Sequence, residues 1–278
     1  MQVLGLAFAV GVSFAAPCSG QEESNGFDAR VYKNAKGVTM PYRLFIPRDY
    51  DPHKKYPLVL WLHGSPARGI DNVEQISGTQ LQGTHVWIKP AYQSKYPTFV
   101  LVPQCPEHRS WAAAQGSGRL TEEMRLVLEI VRELPKEFSL DAHRFYVAGQ
   151  SMGAIGTWQL ISEYPAMFAA AVILCGNGDT SRAPSLAQLP IWVFHGENDT
   201  NPSTPVTNAR EMVAAIERVG GKIKYTEYSS SAMQAVRVPN VPLGHNVWDK
   251  AFDEPALVPW VFAQTAFREN RISLNNGR

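Results

Sequence analysis

Phe145-Tyr146-Val147-Ala148-Gly149-Gln150-Ser151-Met152-Gly153 is the stretch whose reading decides the fold. A short apolar run rich in β-formers feeds Gly-x-Ser-x-Gly, and a segment of helical character follows at once. A strand that turns into a helix within about three residues strains the backbone of its central residue. Gly149 and Gly153 have no Cβ to collide in so tight a bend. Ser151 is therefore expected to project above a sheet edge at the N-terminal end of a helix. Free N–H groups and the helix dipole favour an anion there. The pentapeptide alone is weak, since roughly one chain of this length in ten would contain it by chance. The rest of the chain has to supply a base, an acid and a second oxyanion donor.

The flanking sequence supplies the sheet. Tyr56 to Leu62 and Thr98 to Pro103 are continuous apolar runs, as are Ala169 to Cys175 and Leu189 to His195. Such runs suit strands buried on both faces. Phe27 to Ala35 and Thr39 to Ile46, joined by Lys36-Gly37, read as a hairpin at a sheet edge. Lys222 to Tyr228 reads as a last strand. Thr121 is a good N-cap, with Glu122 and Glu123 in the first turn and apolar residues at helical spacing until Pro135. Met152 to Glu163 and Thr204 to Val219 read as helices, Gly64 to Thr84 as a long polar loop, and Val86 to Lys95 as a helix broken at Pro90. One or two helices close the chain within residues 247–266. Buried strands alternating with helices predict an α/β fold, a mostly parallel twisted sheet with helices on both faces. Only about a dozen residues separate Cys175 from Leu189, which leaves no room for a lid domain and predicts an open cleft.

In this architecture the reacting groups follow the chain order Ser, then Asp or Glu, then His. Two of the seven histidines come after Ser151. His195 ends a strand and precedes every acid of its segment. His245 sits in the turn-like Pro242-Leu243-Gly244-His245-Asn246, where a side chain reaches back over the sheet, and is the expected base. The expected acid is Asp199, in the loop after the Ile191–Phe194 strand, with Glu197 and Asp179 as alternatives. The sequon Asn198-Asp199-Thr200 is read as coincidence, because a glycan there would block the site. A serine hydroxyl needs a base to lose its proton near neutral pH. His245 can take that proton and return it to a leaving alkoxide, while an acid fixes the imidazole tautomer. Met152 N–H and the N–H of Ser65, in the loop after His63-Gly64, are the expected oxyanion donors. His63 itself reads as a structural, hydrogen-bonding histidine.

Composition sets the wider bounds. The 278 residues are 45% hydrophobic and 18% charged, with a formal net charge of +1. That balance, with no Lys/Arg cluster, gives no attraction for nucleic acid or an anionic membrane. Residues 1–20 carry no charge, and Val3 to Ala16 is too short for a membrane span but suits the core of a secretory signal. The absence of an early Lys or Arg makes that signal atypical. The reading is a signal segment over 1–20, a single catalytic domain over 21–278, and export to a secreted or periplasmic location. Cys105 and Cys175 fall at strand ends on the order of 14 Å apart, too far for a disulfide, and are read as buried free thiols. Cys18 leaves with the signal. No residue set has metal-ligand spacing, so neither metal nor cofactor is expected.

Taken together, several stretches resemble the α/β-hydrolase superfamily across residues 27–267. They are Tyr42-Arg43-Leu44-Phe45-Ile46-Pro47, Leu62-His63-Gly64, Pro103-Gln104-Cys105-Pro106, the elbow at Ser151, Phe194-His195-Gly196 with Asp199, and Gly244-His245-Asn246 with Trp248. More narrowly the chain is similar to secreted carboxylesterases and predicted peptidases related to prolyl oligopeptidase, including feruloyl-esterase-like members. The resemblance implies a triad of Ser151, Asp199 and His245 with Ser65 and Met152 at the oxyanion hole. It adds Trp111 near the acyl or sugar side of the cleft, with a core or loop-anchoring tryptophan as the equal alternative, and Gln150 and Trp248 as further candidate substrate-binding residues. Ser65-Pro66 departs from the small residue and Gly usual after His-Gly, and Pro66 has no N–H to donate.

The function so implied is hydrolysis of carboxylic esters through an acyl-enzyme, on acyl or aryl esters of the feruloyl or acetyl type, free or linked to polysaccharide. A serine peptidase is the alternative; with no β-propeller read within residues 1–278, an oligopeptidase in the strict sense is not the expectation. A catalytically inactive hydrolase fold used for binding is a third reading. A Ser at 151, where dienelactone hydrolases present Cys, disfavours that activity. Oligomeric state is not legible.

Overall fold

A computed structural model describes residues 26–114, 116–117 and 119–266. The signal-like segment and Cys18 lie outside the described residues. The strands are β1 (Phe27–Lys33), β2 (Thr39–Phe45), β3 (Tyr56–Leu62), β4 (Phe99–Pro103), β5 (Leu140–Gln150), β6 (Ala170–Leu174), β7 (Ile191–Gly196) and β8 (Ile223–Tyr228). All belong to one sheet of order β1-β2-β4-β3-β5-β6-β7-β8. The β1–β2 and β2–β4 pairs are antiparallel, and every later pair is parallel. This is the α/β-hydrolase fold expected from the sequence.

Helices cover both faces. Short α1 (Leu81–His85) and α2 (Pro90–Gln93) precede β4, and α3 (Glu122–Glu137) precedes β5. After the elbow come α4 (Met152–Glu163), α5 (Ala183–Leu186), α6 (Val206–Arg218), α7 (Ser230–Gln234), α8 (Trp248–Asp253) and α9 (Leu257–Phe262). Side chains alternate across the strands. Leu58, Leu60 and Leu62 pack with the apolar stripes of α3, α4 and α6, while Val59 and Trp61 pack with α8 and α9 on the other face. Each such side chain, fully buried, stabilises the fold by roughly 1.5–3 kcal/mol.

Three elements differ from their sequence reading. The helix expected to stop at Pro135 runs on to Glu137, because a proline in the last turn removes a single donor and Phe138 N–H still closes the turn on Leu134 O at 2.9 Å. β5 begins at Leu140 rather than Phe145. Polar Asp141 to Arg144 hide its first half, but Leu140 pairs with Tyr56 ahead of an irregularity. The loop after β3 is folded into short 3-10 turns at Ser65–Ala67, Glu74–Ile76 and Gly78–Gln80. The β6–β7 connection holds only a 3-10 turn and α5, so the space above Ser151 has no inserted domain over it.

Candidate active site

At the junction of β5 and α4, Ser151 has φ 52° and ψ −117°, a left-handed conformation that costs a non-glycine residue on the order of 1–3 kcal/mol. The bend closes because its flanks are bare. A Cβ on Gly149 would lie 2.4 Å from Gly153 O, and one on Gly153 would lie 1.9 Å from Leu62 O. Ser151 N–H donates to Leu174 O at 2.9 Å, which ties the elbow to the end of β6.

Ser151 Oγ lies 2.9 Å from His245 Nε2, and His245 Nδ1 lies 2.8 Å from Asp199 Oδ2. A carboxylate only accepts, so the proton sits on Nδ1 and Nε2 is left free to accept from the serine. The loop that carries His245 is built for the approach. Gly244, at φ +81°, lies against Asn198 and Asp199 so closely that a Cβ would come within 2.6 Å of both. Thr200 N–H donates to Leu243 O at 3.2 Å, joining the acid and base loops. The Trp248 ring stands edge-on to the imidazole at 5.8 Å.

Asp199 is 8% exposed and does not depend on His245 alone. Its Oδ2 also accepts from His195 Nε2 at 3.0 Å, and its Oδ1 from Asn201 N–H at 2.9 Å. The same His195 nitrogen is 3.0 Å from Thr204 O, a group that only accepts, which places the His195 proton on Nε2. Burial pushes the Asp199 carboxyl up, but donors from His195, His245 and Asn201 outweigh it and hold it below the usual range. The alternatives Glu197 and Asp179 are spent elsewhere. Glu197 accepts from Ser230, and Asp179 caps the turn at Thr180–Arg182.

Met152 N–H opens α4 and Ser65 N–H opens the 3-10 turn that follows β3, positions where helix geometry offers no acceptor behind them. The Gly64 N–H is taken by Gln80 Oε1 at 3.1 Å. His63 is wholly buried, its Nδ1 donating to Gly64 O at 2.7 Å and its Nε2 accepting from Cys105 N–H at 3.0 Å. Burial lowers its pKa to about 4. Gln104, also buried, accepts from Asn72 N–H at 2.7 Å and donates to Asp71 Oδ1 at 2.8 Å, fastening the same loop.

The three residues offered for substrate binding take other positions. Trp111 is 0% exposed and donates Nε1–H to His63 O at 3.0 Å. Gln150 is buried behind Gly64, with Nε2 3.4 Å from Thr79 O, and Trp248 is buried against His245. All three are buried around the site, Trp111 in the loop-anchoring position that the sequence left open for it. Sequence reading missed Asn201 and the second use of His195, although their offsets of two and four residues from Asp199 were the available signal. Cys105 and Cys175 are free and buried. Cys175 Sγ lies 4.0 Å from His245 Nε2, and burial pushes its thiol well up.

A groove of about 380 Å³ runs along α4, lined by Ile155, Trp158, Gln159, Asn177 and the Glu163–Arg182 ion pair. A larger hollow, about 990 Å³, lies at the opposite end of the sheet beside Tyr56 and Pro57, away from Ser151. Among the described residues no three His, Cys, Asp or Glu side chains gather as a metal site, and no helix is long and apolar enough to cross a membrane.

The model of the Esterase family, described as "Putative esterase", matches residues 34–277. The chain is 27% identical over 168 residues to the bifunctional acetylxylan esterase/xylanase XynS20E of Neocallimastix patriciarum, covering 60% of this chain and 22% of that protein. It is 22% identical over 226 residues to an Arabidopsis thaliana protein named "Probable glutamyl endopeptidase, chloroplastic", covering 68% of this chain and 23% of that one. The chain thus spans under a quarter of the length of either curated relative. Among solved structures a thermostable esterase superposes with a TM-score of 0.80 at 39% identity, covering 87% of this chain and 64% of that one.

Proposed function

The chain belongs to the esterase family, and from that premise we propose that it is a serine carboxylic ester hydrolase working through an acyl-enzyme. The observation that carries this reading is the unbroken run from Ser151 Oγ through His245 to Asp199 Oδ2, with both links under 3 Å. Ser151 attacks the ester carbonyl as His245 Nε2 takes its proton. Asp199 holds the tautomer and stabilises the imidazolium. The N–H groups of Met152 and Ser65 receive the oxyanion, each worth roughly 3–4 kcal/mol of transition-state stabilisation. Collapse expels the alcohol, and water then releases the acid by the same steps in reverse.

The acetylxylan esterase relative supports acetyl groups on polysaccharide as substrates. The polar groove beside α4, with Gln159, Asn177 and the Glu163–Arg182 pair, suits the hydroxyls of a sugar. The feruloyl-esterase-like resemblance adds aryl-acid esters. The second relative favours a peptidase as the other reading. Turnover of acetylated xylan, p-nitrophenyl acetate, methyl ferulate and a peptide p-nitroanilide by purified protein separates these. We expect ester turnover, lost in Ser151→Ala together with labelling by a fluorophosphonate. Turnover of the anilide alone would install the peptidase, and neither turnover nor labelling in folded protein would leave a binding scaffold. A secretory signal over residues 1–20 and a single catalytic domain beyond it belong to the same proposal.

A further inference from the structure

Two donors stand within 3.2 Å of His245 Nε2, Ser151 Oγ at 2.9 Å and Asn201 Nδ2 at 3.2 Å, with Cys175 Sγ farther off at 4.0 Å. With Nδ1 protonated against Asp199, Nε2 has one in-plane lone pair, which cannot satisfy both. The Asn201 amide is oriented by its surroundings. Its Oδ1 accepts from Ser203 N–H at 2.9 Å, so the face turned to the imidazole is Nδ2. Its own backbone N–H holds Asp199 Oδ1 at 2.9 Å, which carries the amide on the same turn as the acid. Asn201 is half-buried, so its amide is not sealed behind the imidazole.

We propose that Asn201 is the donor that holds the departing oxygen of the ester, and later the oxygen of the attacking water, beside His245 Nε2. The proposal rests on the serine-hydrolase reading above. Once Nε2 has taken the Ser151 proton it is itself a donor, and the Asn201 N–H has lost its acceptor. When the tetrahedral adduct collapses, the carbon–oxygen bond to the alcohol breaks and its electron pair goes to the alcohol oxygen. The carbonyl re-forms from the oxyanion, and the alcohol oxygen takes the proton from Nε2. An oxygen that accepts that proton from the side of the ring where Asn201 Nδ2 stands, 3.2 Å from the same nitrogen, can come within hydrogen-bond reach of the amide. The hydrogen bond therefore forms as negative charge develops, an interaction stronger in the transition state than in the ground state. In the second half-reaction water gives its proton to Nε2 as its oxygen bonds the acyl carbon, and the same amide holds that oxygen.

The discriminating measurement is kcat/KM for ethyl acetate, a poor leaving group, against p-nitrophenyl acetate, whose phenolate leaves with little help. Asn201→Ala removes the amide, and Asn201→Asp keeps an acceptor for Ser203 N–H while removing the donor. Both variants are expected to lose at least ten-fold more on the ethyl ester than on the p-nitrophenyl ester. Both are also expected to show a burst of p-nitrophenol as acetyl-enzyme accumulates. Equal losses on the two esters, or a wild-type ratio in Asn201→Asp, would mean the residue only braces the loop and would overturn the proposal; absence of a burst removes its water half. The parent reading fails separately, if wild-type protein turns over neither ester or if Ser151→Ala keeps its activity.

Discussion

His63 and His245 both stand at the C-terminal edge of the sheet, at the end of β3 and beyond β8, and both are almost sealed from solvent at 0% and 4% exposure. Burial alone does not make them alike or different. His63 is held by main chain at both nitrogens, giving to Gly64 O and taking from Cys105 N–H. Neither partner can exchange a proton near neutral pH, so the ring serves as a bracket for the turn that presents Ser65. His245 gives to a carboxylate and takes from a hydroxyl, one partner that stabilises positive charge and one that can lose a proton. The chemistry of a buried histidine is set by what its two nitrogens face.

The hardest test of that contrast is to remove each ring. His245→Ala is expected to lower kcat by about 10⁶ with the melting temperature little changed, as for loss of a group that acts as one unit with its nucleophile. His63→Ala leaves Gly64 O and Cys105 N–H buried without partners, so its first effect falls on stability, and its residual activity on correctly folded protein stays well above that of His245→Ala. Equal losses of activity at unchanged melting temperature would erase the distinction.

A gentler change moves His245 toward the condition of His63 by neutralising its acidic partner. Asp199→Asn keeps the shape but supplies an amide that no longer fixes Nδ1–H or balances an imidazolium. The expected loss is about 10⁴ in kcat with the fold intact. His195 also addresses Oδ2, so the variant leaves that neighbour to bond a weaker acceptor. If Asp179→Asn or Glu197→Gln is the crippling change instead, the acid has been misassigned.

How much of this was visible in the sequence follows the same division. Runs such as Tyr56 to Leu62 announce strands buried on both faces, and the order of Ser151, Asp199 and His245 follows from an elbow and three strand ends. Those signals are local or ordinal: the strand runs form strands, and Ser151, His245 and Asp199 stand within hydrogen-bond distance in turn. The residues that the sequence left open are ones whose place depends on a partner far away in the chain. Trp111 reads equally as a cleft or an anchoring aromatic until His63 O, 48 residues upstream, claims its N–H. Gln150 is buried against the 64–84 loop, its Nε2 3.4 Å from Thr79 O, a contact across 71 residues. Asn201 meets His245 across 44 residues, a contact that only the close seating of Gly244 on Asn198 creates.

The bracket role of His63 can be sharpened by attacking what it presents. Ser65 opens a 3-10 turn, a position where proline is tolerated, and Gly64 at φ −73° and ψ 169° already has the extended conformation that must precede one. Ser65→Pro thus removes the N–H with little strain. A fall of 10² to 10³ in kcat with KM nearly unchanged is expected if that donor receives the oxyanion. Unchanged kcat would pass the role to another group.

The smallest expected effect concerns pH, and it separates the two rings by what protonation damages. Burial, opposed only in part by the bond to Gly64 O, lowers the pKa of His63 from 6.5 to about 4. Below pH 6.5 the unfolded chain binds a proton that folded His63 refuses, so stability falls as pH drops and stops falling once the folded ring also protonates near pH 4. A shift of that size corresponds to roughly 3 kcal/mol over the window. His245 faces a carboxylate and a hydroxyl instead of main chain, so its replacement is read in activity rather than in this stability window. Unfolding free energies of wild type and His63→Asn from urea titrations, followed from pH 7 to pH 4, are expected to converge by about that amount, since the variant has no such ring to protonate. A gap that stays constant across the window would mean that His63 is not held neutral by the fold, and the contrast with His245 would then rest on geometry alone.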